Sequence, residues 1–362
     1  MKRWMQNAGT LVAIAVAAWA IGCSSKSSSP QGAASSSGTI TITAAGSTFV
    51  TPIMSRWVAD YRKSHPDVEV NYQSIGSGGG IQQLKQKLVD FGASDAALND
   101  EQLKQMPMPI VQIAESAGPV CITYNLPELK KPLRLTPAAL SGIFLGTIKK
   151  WTDAAIVKAN PGVQLPNKDI IVAHRSDGSG TSNIFTSYLA AVNPEWAKKV
   201  GKGLSVNWPV GLGGKGSEGV TGLVKQTEGG IGYVELTYAT QNHLPVAEIQ
   251  NKAGKWVAPS AQGATAAIDA FKTELNKDLR SSIVDPPASA PEAYPISGMT
   301  YLLIPQDGSD RAKRAAVKGF ITYVINDGQQ VSTQLDYSQL PDSLKQIDEK
   351  ILGNLSAAGQ GL

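Results

Sequence analysis

DIIVAHRSDGSGTSNIFTSYLAAV, residues 169–192, reads as a strand, a turn of small residues and a helix in direct succession. Residues 170–172 are β-branched, and residues 183–192 carry an apolar, helix-like pattern. Between them stand Ser179, Gly180 and Thr181, with Arg175 and Asp177 two residues apart beside them. A helix start exposes unpaired backbone N–H groups and a partial positive charge, so hydroxyl and glycine residues there make an anion site without a lysine. Plain capping by Asp177 or Ser179 is the better reading of one such turn taken alone. The turn recurs, however: GSTF at 46–49 and GSGGG at 76–80 each follow an expected strand. Arg175 has the planar fork that suits an oxyanion, with Asp177 to orient it, although without the neighbouring turns the two read as an ordinary surface ion pair.

Outward from this stretch, short β-rich runs alternate with helical patterns, which points to an α/β fold with mixed, mostly parallel sheets. TITAAGS, VEVNYQSIG and VDFGASDA read as strand ends running into loops, and TPIMSRWVADYRKSH as a helix with Ile53, Met54, Trp57, Val58 and Tyr61 on one face. The Pro-rich stretches YNLPELKKPLRL and SSIVDPPASAPEAYP look like two crossings between domains. Between them lie the helix TPAALSGIFLG, the strand GGIGYVEL and the hairpin loop NKAGKW; after them come the strand SGMTYLLIP and the helix DRAKRAAVKGFITYVI. Residues 39–122 with 295–362 are therefore expected to form one lobe and 123–294 a second, with a ligand cleft between them.

The chain has 362 residues, 42% of them apolar and 17% charged, enough for two cores. Lys2 and Arg3, then an apolar run over 11–21, give residues 1–22 the layout of a secretory signal. Its end, AIGC, resembles the lipobox of bacterial lipoproteins, with Ala20 where leucine is more usual, and implies lipidation at Cys23. Residues 23–38 are Ser- and Gly-rich and read as a flexible tether. Loss of the leader, with Lys2 and Arg3, lowers the formal charge from +4 to +2, and neither value suggests nucleic acid. Cys121 has no partner for a disulfide and reads as a small buried apolar residue.

Asp95, in VDFGASD, is the odd residue at an anion site, because a carboxylate repels an anion unless the anion keeps a proton. Phosphate keeps one near neutrality and sulfate does not, so a carboxylate there would select between them. The alternative makes Asp95 the cap of a helix over AALNDEQL. GLGGKG at 211–216 formally fits G-x-G-x-x-G, but Pro209 interrupts the strand that should precede it, so it reads as a loop. SDGSGTS lacks the Walker lysine and is one residue short of a nucleophile elbow. His65, His174 and His243 are scattered, so no metal or cofactor is expected, and His174 reads as a strand neighbour without a chemical task.

In order along the chain, AGSTF, VNYQSIGSGGG, VDFGASDA, GIFLGTIKKWTD, HRSDGSGTSNIFTSYLA, NWPVGLGGKG, GGIGYVEL and LDYSQLPDSL resemble the phosphate-binding proteins of bacterial phosphate ABC importers. The resemblance implies a two-lobe periplasmic-binding-protein fold that holds one dehydrated phosphate between the lobes. It implies that Thr48, Phe49 and Ser77 donate backbone and hydroxyl hydrogen bonds, and that Asp95 accepts the ligand's proton. Arg175, steadied by Asp177, would pair with the ion, and Ser179, Gly180 and Thr181 would bind it at the helix start. Val50 and Thr51 stand where Pro-Ala is more usual, a change of loop shape more than of donors. The resemblance further implies a monomeric, lipid-tethered extracytoplasmic receptor that hands phosphate to permease subunits and is not an enzyme. The competing readings are a secreted phosphatase on the same fold, with Ser179 or Thr181 as nucleophile, and a receptor for sulfate or molybdate.

Overall fold

Strand β1 (Ile40–Gly46) is followed by helix α1 (Thr51–Ser64), β2 (Val68–Ser74), α2 (Ser77–Lys85), β3 (Phe91–Ser94), the short α3 (Asp100–Lys104) and the long β4 (Ile110–Tyr124). The computed structural model describes residues 38–362, so the expected signal, Cys23 and most of the tether lie outside the described residues. Next come β5 (Arg134–Leu135), α4 (Pro137–Leu145), α5 (Ala154–Ala159), β6 (Ile171–Arg175), α6 (Gly180–Val192), α7 (Pro194–Lys199), β7 (Leu212–Gly214) and α8 (Gly216–Gln226). The chain continues through β8 (Gly230–Glu235), α9 (Leu236–Gln241), β9 (Glu248–Gln250), β10 (Trp256–Val257), α10 (Ala261–Ala270) and α11 (Lys272–Lys277). It ends with β11 (Ser297–Pro305), α12 (Arg311–Ile325), a 3₁₀ turn over Asp327–Leu335, α13 (Asp342–Leu352), β12 (Ser356–Ala357) and β13 (Gln360–Gly361).

Local chemistry explains most of these elements. In α1, Pro52 stands in the first turn and Ile53, Met54, Trp57 and Tyr61 are buried at helical spacing. Thr136 caps α4 by accepting from the Ala139 N–H at 3.1 Å, and Gly146 ends it in the left-handed conformation. Asp310 caps α12 by accepting from the Lys313 N–H at 3.0 Å, and Val317, Phe320, Ile321 and Val324 face the core.

Eight strands form one sheet in the order β2-β1-β3-β11-β4-β8-β6-β7. The flanks are parallel, while β11 runs antiparallel to β3 and β4, and β4 antiparallel to β8. The fold is a mixed α/β two-lobe architecture, and β4 joins its halves: residues up to Pro119 pair with β11, and Val120 to Tyr124 pair with β8. Nothing in IVQIAESAGPVCITY marks so long a strand, because its last twelve residues are all buried and show no alternation to read. Cys121 is fully buried in it. The GLGGKG loop also differs from its reading as loop alone, since 212–214 pairs with β6 and Gly216 opens α8.

The stretch 261–283, placed with 123–294 in the second lobe by the sequence, packs here on the first. Ala267, Ile268, Leu275, Leu279 and Ile283 share a core with Ile81, Leu84, Val89 and Leu98. The small-residue face of α10 (Ala261, Ala264, Ala267) lets it lie close to β4 and β11, which composition near the second crossing does not reveal. The residues after the first crossing and the NKAGKW hairpin build a three-stranded sheet, β10-β9-β5.

Pairing of β4 with β11 shifts between Ser116↔Thr300 and Ala114↔Tyr301, leaving Glu115 unmatched in a bulge. Glu115 is fully buried, and neither carboxyl oxygen has a hydrogen-bond partner among the described residues. Burial, with the charge of Asp95 adding to it, pushes its carboxyl up to about 8. The folded chain therefore keeps a proton that the unfolded chain releases; the resulting stability is complete in acid and is lost as pH rises through about 8. Glu115→Gln should match the parent in denaturant midpoint near pH 4 and exceed it at pH 8, by up to about 1.4 kcal/mol per unit of displaced pKa. Denaturant titrations at the two pH values check this, and equal midpoints at pH 8 would count against a neutral Glu115.

Candidate functional site

Four turns meet where the parallel strands end: β1 into α1, β2 into α2, β6 into α6, and β7 into α8. Outside the carboxyl ends of such strands, helix starts converge and ligands are usually held. Arg175 ends β6 and is 3% exposed. Its Nε donates to Asp177 Oδ1 at 2.8 Å and its Nη2 to Asp177 Oδ2 at 2.6 Å, a two-pronged pair that leaves Nη1 to donate to Thr181 Oγ1 at 3.4 Å. Asp177 Oδ1 also accepts the Gly216 N–H at 3.0 Å. Burial pushes the Asp177 carboxyl up, but Arg175 outweighs it and the group stays below the usual carboxylate range.

Asp95 approaches from the opposite half, just past β3, and is 3% exposed. Its Oδ2 accepts from the Thr181 hydroxyl at 3.5 Å and its Oδ1 accepts from the Ser47 hydroxyl. Asp95 does not cap the following helix, because the Asn99 side chain accepts the Gln102 N–H at 2.9 Å and does so instead. Burial raises the Asp95 carboxyl to about 7, against the pull of Ser47, Arg175 and Thr181.

Ser77 opens α2, and its Oγ accepts from the Asp95 N–H at 3.3 Å and from the Gly180 N–H at 3.1 Å, tying the two halves together. A backbone bond, Gly78 N–H to the Gly178 carbonyl at 2.8 Å, does the same. Ser179 is the cap of α6, accepting the Ser182 N–H at 3.0 Å, so capping and a place at the site coincide in one residue. Asp95, Arg175, Asp177, Ser77, Ser179, Gly180 and Thr181 thus lie together. Thr48 and Phe49 lie at the same junction, and Thr48 Oγ1 accepts the Ser217 N–H at 3.2 Å. The Thr48 hydroxyl bonds Ser217 Oγ at 2.8 Å, and the Phe49 N–H donates to Ser47 Oγ at 3.0 Å.

Ser47, Gly216, Ser217 and Tyr233 belong to the junction but were not singled out in the sequence. Ser47 had a signal, as the hydroxyl next to Thr48 in GSTF. Gly216 closes the GLGGKG stretch and opens α8, Ser217 follows it in that helix, and only the sheet order brings them opposite Thr48. Tyr233 lies in β8; its hydroxyl accepts the Arg175 N–H at 3.1 Å and bonds Ser182 Oγ at 2.6 Å, linking the end of β6 to the first turn of α6. His174 stacks on Trp208, with centroids 4.9 Å apart, and its Nδ1 lies 3.0 Å from the Arg175 carbonyl. Among the described residues no group of three or more His, Cys, Asp or Glu side chains is gathered for a metal ion. None of the described helices is long and apolar enough to cross a membrane.

A family model for the PBP superfamily domain matches residues 30–328. Phosphate-binding protein PstS of Xylella fastidiosa is 44% identical over 311 residues, 85% of this chain and 84% of that protein. PstS of Pasteurella multocida is 42% identical over 84% and 88% of the two chains, and PstS of Methanocaldococcus jannaschii 39% identical over 85% of each. Among solved structures, the fold is shared with a phosphate-binding protein of Stenotrophomonas maltophilia (TM-score 0.63, 19% identity, 86% and 93% covered). It is shared too with a periplasmic phosphate-binding protein, PfluDING, solved with phosphate bound (TM-score 0.67, 21% identity, 85% and 93% covered).

Two glycines show how tightly the halves meet. A Cβ on Gly180 would fall 2.5 Å from Asp95 Cβ and 2.6 Å from Ser77 Oγ. One on Gly76, whose φ is +84°, would fall 2.3 Å from Asp177 Oδ2. Gly180→Ala should therefore hold the halves apart and increase the radius of gyration seen by small-angle scattering, with overpacking of about 1–3 kcal/mol against the closed arrangement. An unchanged scattering profile would contradict the contact.

Proposed function

The chain belongs to the PBP superfamily and, within it, to the phosphate-binding proteins, and we propose that it captures inorganic phosphate between its lobes and delivers it to a membrane ABC permease. The observation that carries this reading is that Arg175 and Asp95, an obligate donor and an acceptor, are both buried and both bond Thr181 Oγ1 at the start of α6. Phosphate near neutrality is at once an acceptor, through its bare oxygens, and a donor, through its remaining proton. A site with one buried cation and one buried carboxylate matches that mixture, whereas sulfate would set acceptor against acceptor.

In the proposed complex, Arg175 pairs with the phosphate oxygens while Asp177 fixes the plane of the guanidinium. The start of α6, with Ser179, Gly180 and Thr181, supplies N–H and hydroxyl donors aligned with the helix dipole. Ser77, Thr48 and Phe49 belong to the first lobe's share of the site, and Asp95 takes the ligand's proton. Closure by a hinge motion excludes water, so each bond strengthens while any unmatched oxygen carries its full desolvation cost. The bonds now joining the halves at Ser77 and Thr48 are ones that a bound ion would share or replace.

The same reading places the protein outside the cytoplasm as a monomer, anchored by lipid at Cys23, and makes it a receptor rather than an enzyme. Support for the last point is that His174 bonds backbone, not a serine or threonine hydroxyl of the α6 turn, among the described residues. Purified protein should release no product from a phosphomonoester over hours.

Asp95→Asn should weaken phosphate binding about ten- to a hundredfold, the cost of a mismatched buried group, and should admit sulfate more readily. Calorimetry with both anions tests this. Unchanged values for both would remove Asp95 from its role.

A further inference from the structure

Ser47 is the best-anchored hydroxyl at the junction. It is fully buried. Its N–H donates to the Ala93 carbonyl at 2.9 Å, which ties it to β3, and its carbonyl accepts the Tyr72 hydroxyl at 2.7 Å. Its Oγ accepts the Phe49 N–H at 3.0 Å and donates its only hydrogen to Asp95 Oδ1. One lone pair thus faces Phe49, the backbone is held on both sides, and the hydroxyl hydrogen is directed to Asp95.

We propose that Ser47 is a positioning and specificity-determining residue: by holding Asp95 Oδ1 it leaves Oδ2, bonded only by Thr181 at 3.5 Å, as the acceptor that turns to the ligand and favours the ionised carboxylate that phosphate needs. The inference rests on the phosphate reading given above. The mechanism is a hydrogen-bond count. Oδ1 holds the short bond from Ser47, whereas Oδ2 holds only the long one from Thr181 at 3.5 Å, so a proton taken up by Asp95 goes to Oδ2, where it turns an acceptor for the phosphate proton into a donor that would welcome sulfate. Ser47 opposes that uptake by donating to the charged form.

The groups that face Asp95 from the surrounding elements are few. Arg175 from β6 favours the charged carboxylate, and Thr181 from α6 bonds it. Glu115 from β4 and Tyr72 from β2 are buried acids that interact with it, while Ser77 from α2 holds its backbone N–H. Because burial already lifts Asp95 to about 7, loss of one donor moves its titration within the physiological range.

The test compares the parent, Ser47→Ala and Ser47→Thr by phosphate calorimetry from pH 5.5 to 9, with sulfate as competitor. The ratio of the Kd values of Ser47→Ala and parent cancels phosphate's own ionisation, which both proteins share. That ratio should be about tenfold below pH 6.5 and fall to near one at pH 9, for a shift on the order of one pH unit. Sulfate should compete better against Ser47→Ala, and Ser47→Thr should restore the parent profile. A ratio that is flat with pH, at one or at any constant offset, overturns the proposal, because a purely structural loss would give that result.

A ligand-free measurement separates this inference from the reading beneath it. Carbon NMR of the Asp95 carboxyl should show its titration moving to higher pH in Ser47→Ala. If the parent fails to bind phosphate yet this shift is present, the phosphate reading falls and the Ser47–Asp95 coupling stands. An unmoved carboxyl overturns the coupling itself.

Discussion

A guanidinium taken almost wholly out of water governs the construction of this junction. Arg175 is 3% exposed, and a buried cation is tolerated only when paired and hydrogen-bonded. Asp177 meets that need with a two-pronged pair and is itself steadied by the Gly216 N–H. The arginine backbone is pinned by Tyr233, whose hydroxyl also holds Ser182 in the first turn of α6. The charge, the strand end that carries it and the helix start beside it therefore form one rigid unit.

The opposite lobe presents a different problem, since Asp95 brings a second buried charge toward the same threonine. Its burial favours the neutral form, while Ser47, Arg175 and Thr181 favour the charged one. The balance leaves the carboxyl at about 7, well above the usual carboxylate range. The charge of Asp95 in turn adds to the burial that raises Glu115, which sits in the bulge of β4 with no hydrogen-bond partner for its carboxyl among the described residues. One lobe thus contributes a buried carboxyl and the other a buried cation fixed by its pair with Asp177.

Architecture turns these local arrangements into a cleft. β4 belongs to both lobes, and β11 returns beside it, so the halves are joined by strands rather than by loose linkers. Glycines at 76 and 180 sit where the halves touch, and any side chain there would separate them. Direct bonds between lobes, at Ser77 with Gly180 and Thr48 with Ser217, show that the closed arrangement rests on protein contacts.

The residue types at strand-to-helix turns, the helices α1, α4, α6 and α12 and the strands β6, β8 and β11 were legible in the sequence, because periodicity, caps and helix-start chemistry act over a few residues. So was the pairing of Arg175 with Asp177, only two residues apart. β4 was not, since a strand buried along most of its length shows no alternation, nor was the packing of α10 and α11 on the first lobe. The engagement of Thr48 with Ser217, 169 residues away, and of Ser47 with Asp95, 48 residues away, depends on which strands are neighbours in the sheet. By itself the sequence determined which groups were available to hold an anion. Tertiary structure alone decided which hydrogen each one gives and to whom, because that depends on contacts between turns that no local pattern encodes.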